Sequence, residues 1–110
     1  MAITVQITYS GEKDHARQFA QEMMASGVVD AIRAEAGNLR YVYFLPLVED
    51  GTVLLIDSWV DQAALDAHHG SAMMQQIISL REKYDLHMQV ERYVSDAEGV
   101  PEQDKAFIRD

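Results

Sequence analysis

Cysteine is absent from the chain, which removes disulfide frameworks, thiol nucleophiles and thiolate metal sites together. Positive charge is scarce: 9 Lys and Arg stand against 18 Asp and Glu, for a formal net charge of −9. The basic residues are scattered as singles, whereas a tight grip on a phosphate backbone needs them clustered to release counterions. Nucleic acid and anionic membrane surfaces are therefore poor partners. Long apolar runs are missing too, and none approaches the roughly 20 residues of a membrane span. The opening Met1-Ala2-Ile3-Thr4-Val5 has no basic leader, so a soluble, cytoplasmic protein is the expectation. A Gly-rich phosphate loop, a dinucleotide fingerprint and a Gly-x-Ser-x-Gly elbow are all lacking.

What is present is enough for one core. The chain has 110 residues, 48% of them apolar, which fits a single domain and no more. Ile3, Val5, Ile7 and Tyr9 alternate with Thr4, Gln6 and Thr8, the period of a half-buried strand. From Asp14 the period changes, and Ala16, Phe19, Ala20 and Met23 recur at helical spacing. A short second helix is expected from Val28 to about Ala36, closed by Gly37-Asn38. Two strand-like runs, 39–48 and 52–60, flank Glu49-Asp50-Gly51, a hairpin signal. Asp61 caps a helix through Ala67, Gly70-Ser71 interrupts it, and a further helix runs to about Lys83. Residues 84–94 alternate as a last strand. The expected domain is 1–94, followed by an extended C-terminal tail, 95–110, with Phe107-Ile108 near its end.

The order is β, α, ββ, α, β. Such an order builds an α+β, ferredoxin-like βαββαβ fold, an antiparallel sheet with helices on one face. In the hairpin, Leu39, Tyr41, Tyr43, Leu45 and Leu47 fall on one side, with Val42, Phe44 and Val48 on the other. Leu54 and Ile56 likewise oppose Val53, Leu55 and Trp59. Both faces are apolar, yet helices can cover only one of them. A second copy of the chain is the simplest cover for the other, so a homodimer through the sheet face is expected.

The residues able to carry chemistry gather around the third strand and the helices after it: Asp57, Trp59, His68, His69, Met73, Tyr41 and Tyr43. His68 and His69 are adjacent, about 100° apart on a helix, so both cannot face one ion well, and no metal site is expected. Helical phase sets either histidine beside Leu65 and does not choose between them. Asp57 shares an apolar face with Val53, Leu55 and Trp59, where a carboxylate needs a partner or a raised pKa; an interface salt bridge to Arg40 or Arg92 would supply the partner.

Three segments run in order: Glu35-Ala36-Gly37-Asn38-Leu39-Arg40-Tyr41, Asp57-Ser58-Trp59, and Ala64-Leu65-Asp66-Ala67-His68 with Ser71 beyond. Their joint order and spacing resemble the antibiotic biosynthesis monooxygenase family, from Ala2 to about Tyr93. Its pattern has Glu-x-Gly-x-x-x-Tyr entering the second strand and an acid two before Trp ending the third. Ala-Leu-x-x-His follows, with Ser or Thr three residues on. The resemblance implies a dimeric α+β barrel with a pocket between sheet and helices. It also implies oxidation of a quinol or small hydroxylated aromatic by dioxygen, without cofactor. His68 is then the general base and Asp57 its orienter, with Trp59, Tyr41, Tyr43, Met73 and His69 against the substrate.

The chain departs from the pattern at several positions. Asp57 replaces a common Glu, and Met73 stands where quinol-oxidising relatives carry a second His. Haem-degrading relatives have Trp at His68, an iron-ligating His at Ile78, and a first-strand Asn where this chain offers Gln6 or Thr8; haem degradation is not expected. The alternative is a ligand-binding or isomerising relative that uses no oxygen. A purely structural dimer module would have no pocket at all.

Overall fold

The computed structural model describes residues 1–110. Four strands, β1 (Ile3–Ser10), β2 (Asn38–Phe44), β3 (Thr52–Trp59) and β4 (His87–Val94), form one sheet in the order β2-β3-β1-β4. Every neighbouring pair is antiparallel. Helices α1 (His15–Ala25) and α2 (Val28–Arg33) join β1 to β2, and α3 (Gln62–His69) and α4 (Met73–Lys83) join β3 to β4. They pack on one face, giving the ferredoxin-like α+β arrangement.

The core follows from the two periodicities. Ile3, Ile7 and Tyr9 of β1 and Val53, Leu55 and Trp59 of β3 point towards the helices, where Phe19, Met23, Val29 and Ile32 meet them. Phe19 and Met23 recur at the four-residue spacing of one helix face. Gly27, in the left-handed region at φ 86°, turns the chain between α1 and α2 without a β-carbon in the way. Asp61 caps α3 by accepting from the Ala64 amide at 2.9 Å, an arrangement that contributes about 1 kcal/mol.

Several boundaries differ from the sequence expectation. Strand β2 stops at Phe44 rather than Val48, and Leu45, Leu47 and Val48 lie exposed in the connection. Pro46 has no N–H to give a ladder and disfavours regular continuation. Leu39 does not share the face of Tyr41: a bulge leaves it unpaired and exposed between Asn38 and Arg40, and the extra residue breaks the alternation. Strand β4 begins at His87, after Asp85 in the left-handed region at φ 49°. Beyond β4 the tail is not extended throughout, since Glu102–Phe107 winds into a 3-10 turn whose residues are all exposed.

On the face away from the helices, Val42, Phe44, Leu54 and Ile56 form an apolar strip across β2 and β3. Beside it lie Thr4, Gln6 and Thr8 of β1, then Gln89 and Glu91 of β4.

Candidate active site

A cavity of about 320 Å³ lies between the sheet and helices α3 and α4. Val5, Ile7 and Leu55 give it an apolar floor, and Leu65, Met74 and Ile77 an apolar roof. A purely structural module would have no such hollow.

Helix α3 decides which histidine enters. Leu65 and His68 are three residues apart and both buried, while His69 stands at the exposed rim, still against the cavity. The His68 ring is only 3% exposed, and its Nδ1 lies 2.8 Å from Glu35 Oε1. A carboxylate there accepts the proton on Nδ1, which leaves Nε2 as the basic nitrogen of the ring. Burial, then the neighbouring His68, lower the pKa of His69.

Glu35 reaches His68 because the chain turns tightly after α2. Gly37 sits at φ 82°, and a β-carbon on it would lie 2.6 Å from Ala64 Cβ and 2.9 Å from Val60 Cγ2. Its carbonyl accepts from the Val60 amide at 2.8 Å. Only glycine lets this turn press against the start of α3, the helix that carries His68. Four residues on, Tyr41 enters β2 with its ring buried against the cavity, and Arg33 clamps its carbonyl through Nε and Nη2 at 2.9 and 2.8 Å. The Glu-x-Gly-x-x-x-Tyr spacing thus sets an orienter, a close contact and a cavity wall in one turn.

Trp59 joins the remaining two groups. Its indole stacks on His68 with centroids 4.8 Å apart and planes 27° apart, and its Nε1 donates to Asp57 Oδ1 at 2.6 Å. Asp57 lines the cavity but is only 5% exposed and forms no ion pair. Burial is the main cause that raises its pKa to about 6, against the lowering effects of the indole bond and of His68.

Several sequence expectations change here. The carboxylate within hydrogen-bond distance of His68 is Glu35, not Asp57. Trp59 is wholly buried and is not a cavity wall, because its edge and face are taken by Asp57 and His68. Tyr43 borders a shallow groove against α1 instead, with its hydroxyl buried and unbonded. Met73 is displaced from the wall by Met74, which one further step of the helix turns inwards. Ile78 lies 39% exposed, outside the cavity, and Gln6 and Thr8 point to the opposite face of the sheet. Tyr41, Asp57, His68 and His69 do meet in the cavity.

Sequence reasoning passed over Gln62 and Arg81, gave Glu35 no role, and read Arg92 as a salt-bridge partner rather than as part of the cavity wall. Glu35 lay in the quoted motif, and its position two before a constrained glycine was the available signal. The arginines had none, because each becomes part of the wall only through tertiary packing. No three His, Asp or Glu side chains converge in an arrangement able to hold a metal ion.

The fold and the cavity define a small α+β domain with a hollow between a sheet and its helices. Residues 2–80 match the family Antibiotic biosynthesis monooxygenase, and the chain belongs to that family. YcnE of Bacillus subtilis (strain 168), whose name proposes a monooxygenase, is 33% identical over 55 residues. That match spans 50% of this chain and 58% of the relative's length. Many solved structures share the fold. One, from Deinococcus radiodurans, carries the family's name; it has a TM-score of 0.73 and 23% identity, over 87% of this chain and 93% of that one. SnoaB of Streptomyces nogalater, a cofactor-independent oxygenase, has a TM-score of 0.71 and 9% identity, over 86% and 93% of the two chains.

Proposed function

We propose that the protein is a cofactor-independent monooxygenase that oxidises a small hydroxylated aromatic or quinol with dioxygen. The observation that carries this reading is the buried His68, which faces a largely apolar cavity and is backed by the half-buried Glu35 carboxylate at its Nδ1. His68 takes a proton from the substrate through Nε2, and Glu35 stabilises the imidazolium that forms. The substrate anion, sheltered from water, is electron-rich enough to reduce dioxygen. One electron passes to oxygen, the two radicals join in a C–O bond, and proton return gives a hydroperoxide on a carbon that still bears hydrogen. Loss of water then leaves a carbonyl: one oxygen atom enters the substrate and the other departs as water. Asp57, whose pKa burial raises to about 6, borders the same cavity and serves as a second proton store. Tyr41 and His69 border the ring's site.

A second copy of the chain covers Val42, Phe44, Leu54 and Ile56 in this reading, making a sheet-to-sheet homodimer. The protein acts in the cytoplasm.

The test is dioxygen uptake by metal-free protein against a panel of quinols and polyhydroxy aromatics. His68→Ala should lower turnover by about 10²- to 10⁴-fold, the usual share of a general base; Glu35→Gln should lower it as well, with the fold intact. Full activity in His68→Ala, or turnover equally fast without oxygen, overturns the oxygenase reading. The Asp57–Trp59–His68 assembly also suits an isomerase, since two proton-exchanging groups border one cavity. Turnover of an enolisable ligand without oxygen uptake would select that alternative.

A further inference from the structure

The cavity carries a charge opposite to that of the molecule. The chain is formally −9, yet its cavity wall holds two guanidinium groups, Arg81 and Arg92, against one carboxylate, Asp57. With twice as many acids as bases, paired cations are the expectation. Neither arginine forms an ion pair.

Arg81 is held by neutral groups alone. Its Nη2 donates to the Tyr9 hydroxyl at 3.0 Å, and its guanidinium lies 5.5 Å from the centre of that ring. Its Nε is shut from solvent and has no acceptor. A guanidinium offers five donors in a fixed fork, and a partly desolvated one that lacks a counter-charge is costly until an anion arrives. Arg92 donates through Nη2 to the Gln62 side-chain oxygen at 2.6 Å, again a neutral partner, and is otherwise exposed.

The strand register places the two cations. Arg92 is opposite Val5, whose other neighbour is Asp57. Arg81 reaches Tyr9, four residues further along β1, which is about 13 Å at the rise of a strand. One cation therefore stands at each end of the same wall.

We propose that the cavity takes a substrate bearing a fixed anionic group, a carboxylate or a phosphate, which Arg81 anchors and Arg92 draws in from the rim. This deepens the oxygenase reading and rests on it for the aromatic ring that carries the anion.

The test is anaerobic calorimetric titration of the full chain with 2,5-dihydroxybenzoate, its carboxamide, hydroquinone and hydroquinone monophosphate. Each anion should bind at least about tenfold tighter than its neutral counterpart, as charge-assisted bonds do. The tighter of the two anions identifies the group. Arg81→Gln should remove most of that preference and leave the hydroquinone Kd within about twofold, while Arg92→Gln should weaken it only a few fold. If Arg81→Gln does not fold, Arg81→Lys keeps the charge without the fork, and the preference should fall to a few fold. Equal affinity of acid and amide, or an undiminished preference in the Arg81 variant, overturns the proposal. Admitting oxygen separates the two readings. Charge preference without uptake leaves the anion site and overturns the oxygenase. Uptake with neutral ligands alone leaves the oxygenase and overturns the anion site.

Discussion

The two halves of the molecule share a plan and use it differently. In the first half, β1 to β2, the helices press four large side chains onto the sheet: Phe19, Met23, Val29 and Ile32 are all fully buried. In the second half, β3 to β4, Leu65, Ile77 and Leu80 are buried, but the facing strand is not covered. Met88, Val90 and Val94 of β4 remain 41%, 54% and 49% exposed. The difference is a hollow, and every candidate for proton transfer borders or backs it. A small domain has little apolar surface to spare, so one half supplies the packing and the other is left open for a ligand.

The sharpest challenge to that contrast is a pair of truncations. Phe19→Ala should cost about 3–5 kcal/mol in urea unfolding, the usual penalty for an aromatic removed from a closed core. Comparable losses from the exposed side of β4 would erase the distinction.

Next in size is the buried carboxylate of the open half. Asp57 ionises at about 6 in the fold against a reference value of 3.8, so the folded state holds its proton more tightly. Its contribution therefore favours folding most below about pH 4 and is lost as pH rises through 6, about 3 kcal/mol in all. Asp57→Asn keeps an acceptor for the Trp59 N–H and should abolish that decline. The variant should be more stable than its parent at pH 7.5 and nearly equal at pH 4. A parent whose stability rises over this range would show that the charge has a partner.

Gly37 lies where the halves meet. Gly37→Ala should cost about 2 kcal/mol, from a left-handed backbone and from contact with Ala64, and should slow turnover by shifting Glu35 from His68. The smallest effect belongs to the open strand: Met88→Ala should change stability by less than about 1 kcal/mol, measured in the same urea titrations as Phe19→Ala.

Much of this plan was legible in the residues. Alternation in β1 and the four-residue rhythm of α1 named the core of the first half, since each position there has one packing role. Asp-Gly marked the hairpin, but Pro46 shortened the strand before it, and the bulge at Leu39 has no signature that alternation can show. In the site, the motif drew attention to Tyr41, Asp57 and His68. It did not separate wall from support: Trp59 and Tyr43 read as pocket residues because aromatic residues near a histidine look alike in one dimension. The Glu35–His68 contact joins residues 33 apart, and Arg81 meets Tyr9 across 72. Such pairings depend on how the helices settle on the sheet.

The indole that stacks on His68 and donates to Asp57 belongs to the only tryptophan in the chain. Its emission is therefore undiluted by any other indole, and its two immediate neighbours are the groups whose protons are proposed to move. Protonating the imidazole on its face or the carboxylate at its edge alters the field across the chromophore. The protein thus carries its own optical gauge of the site, readable during turnover without a label.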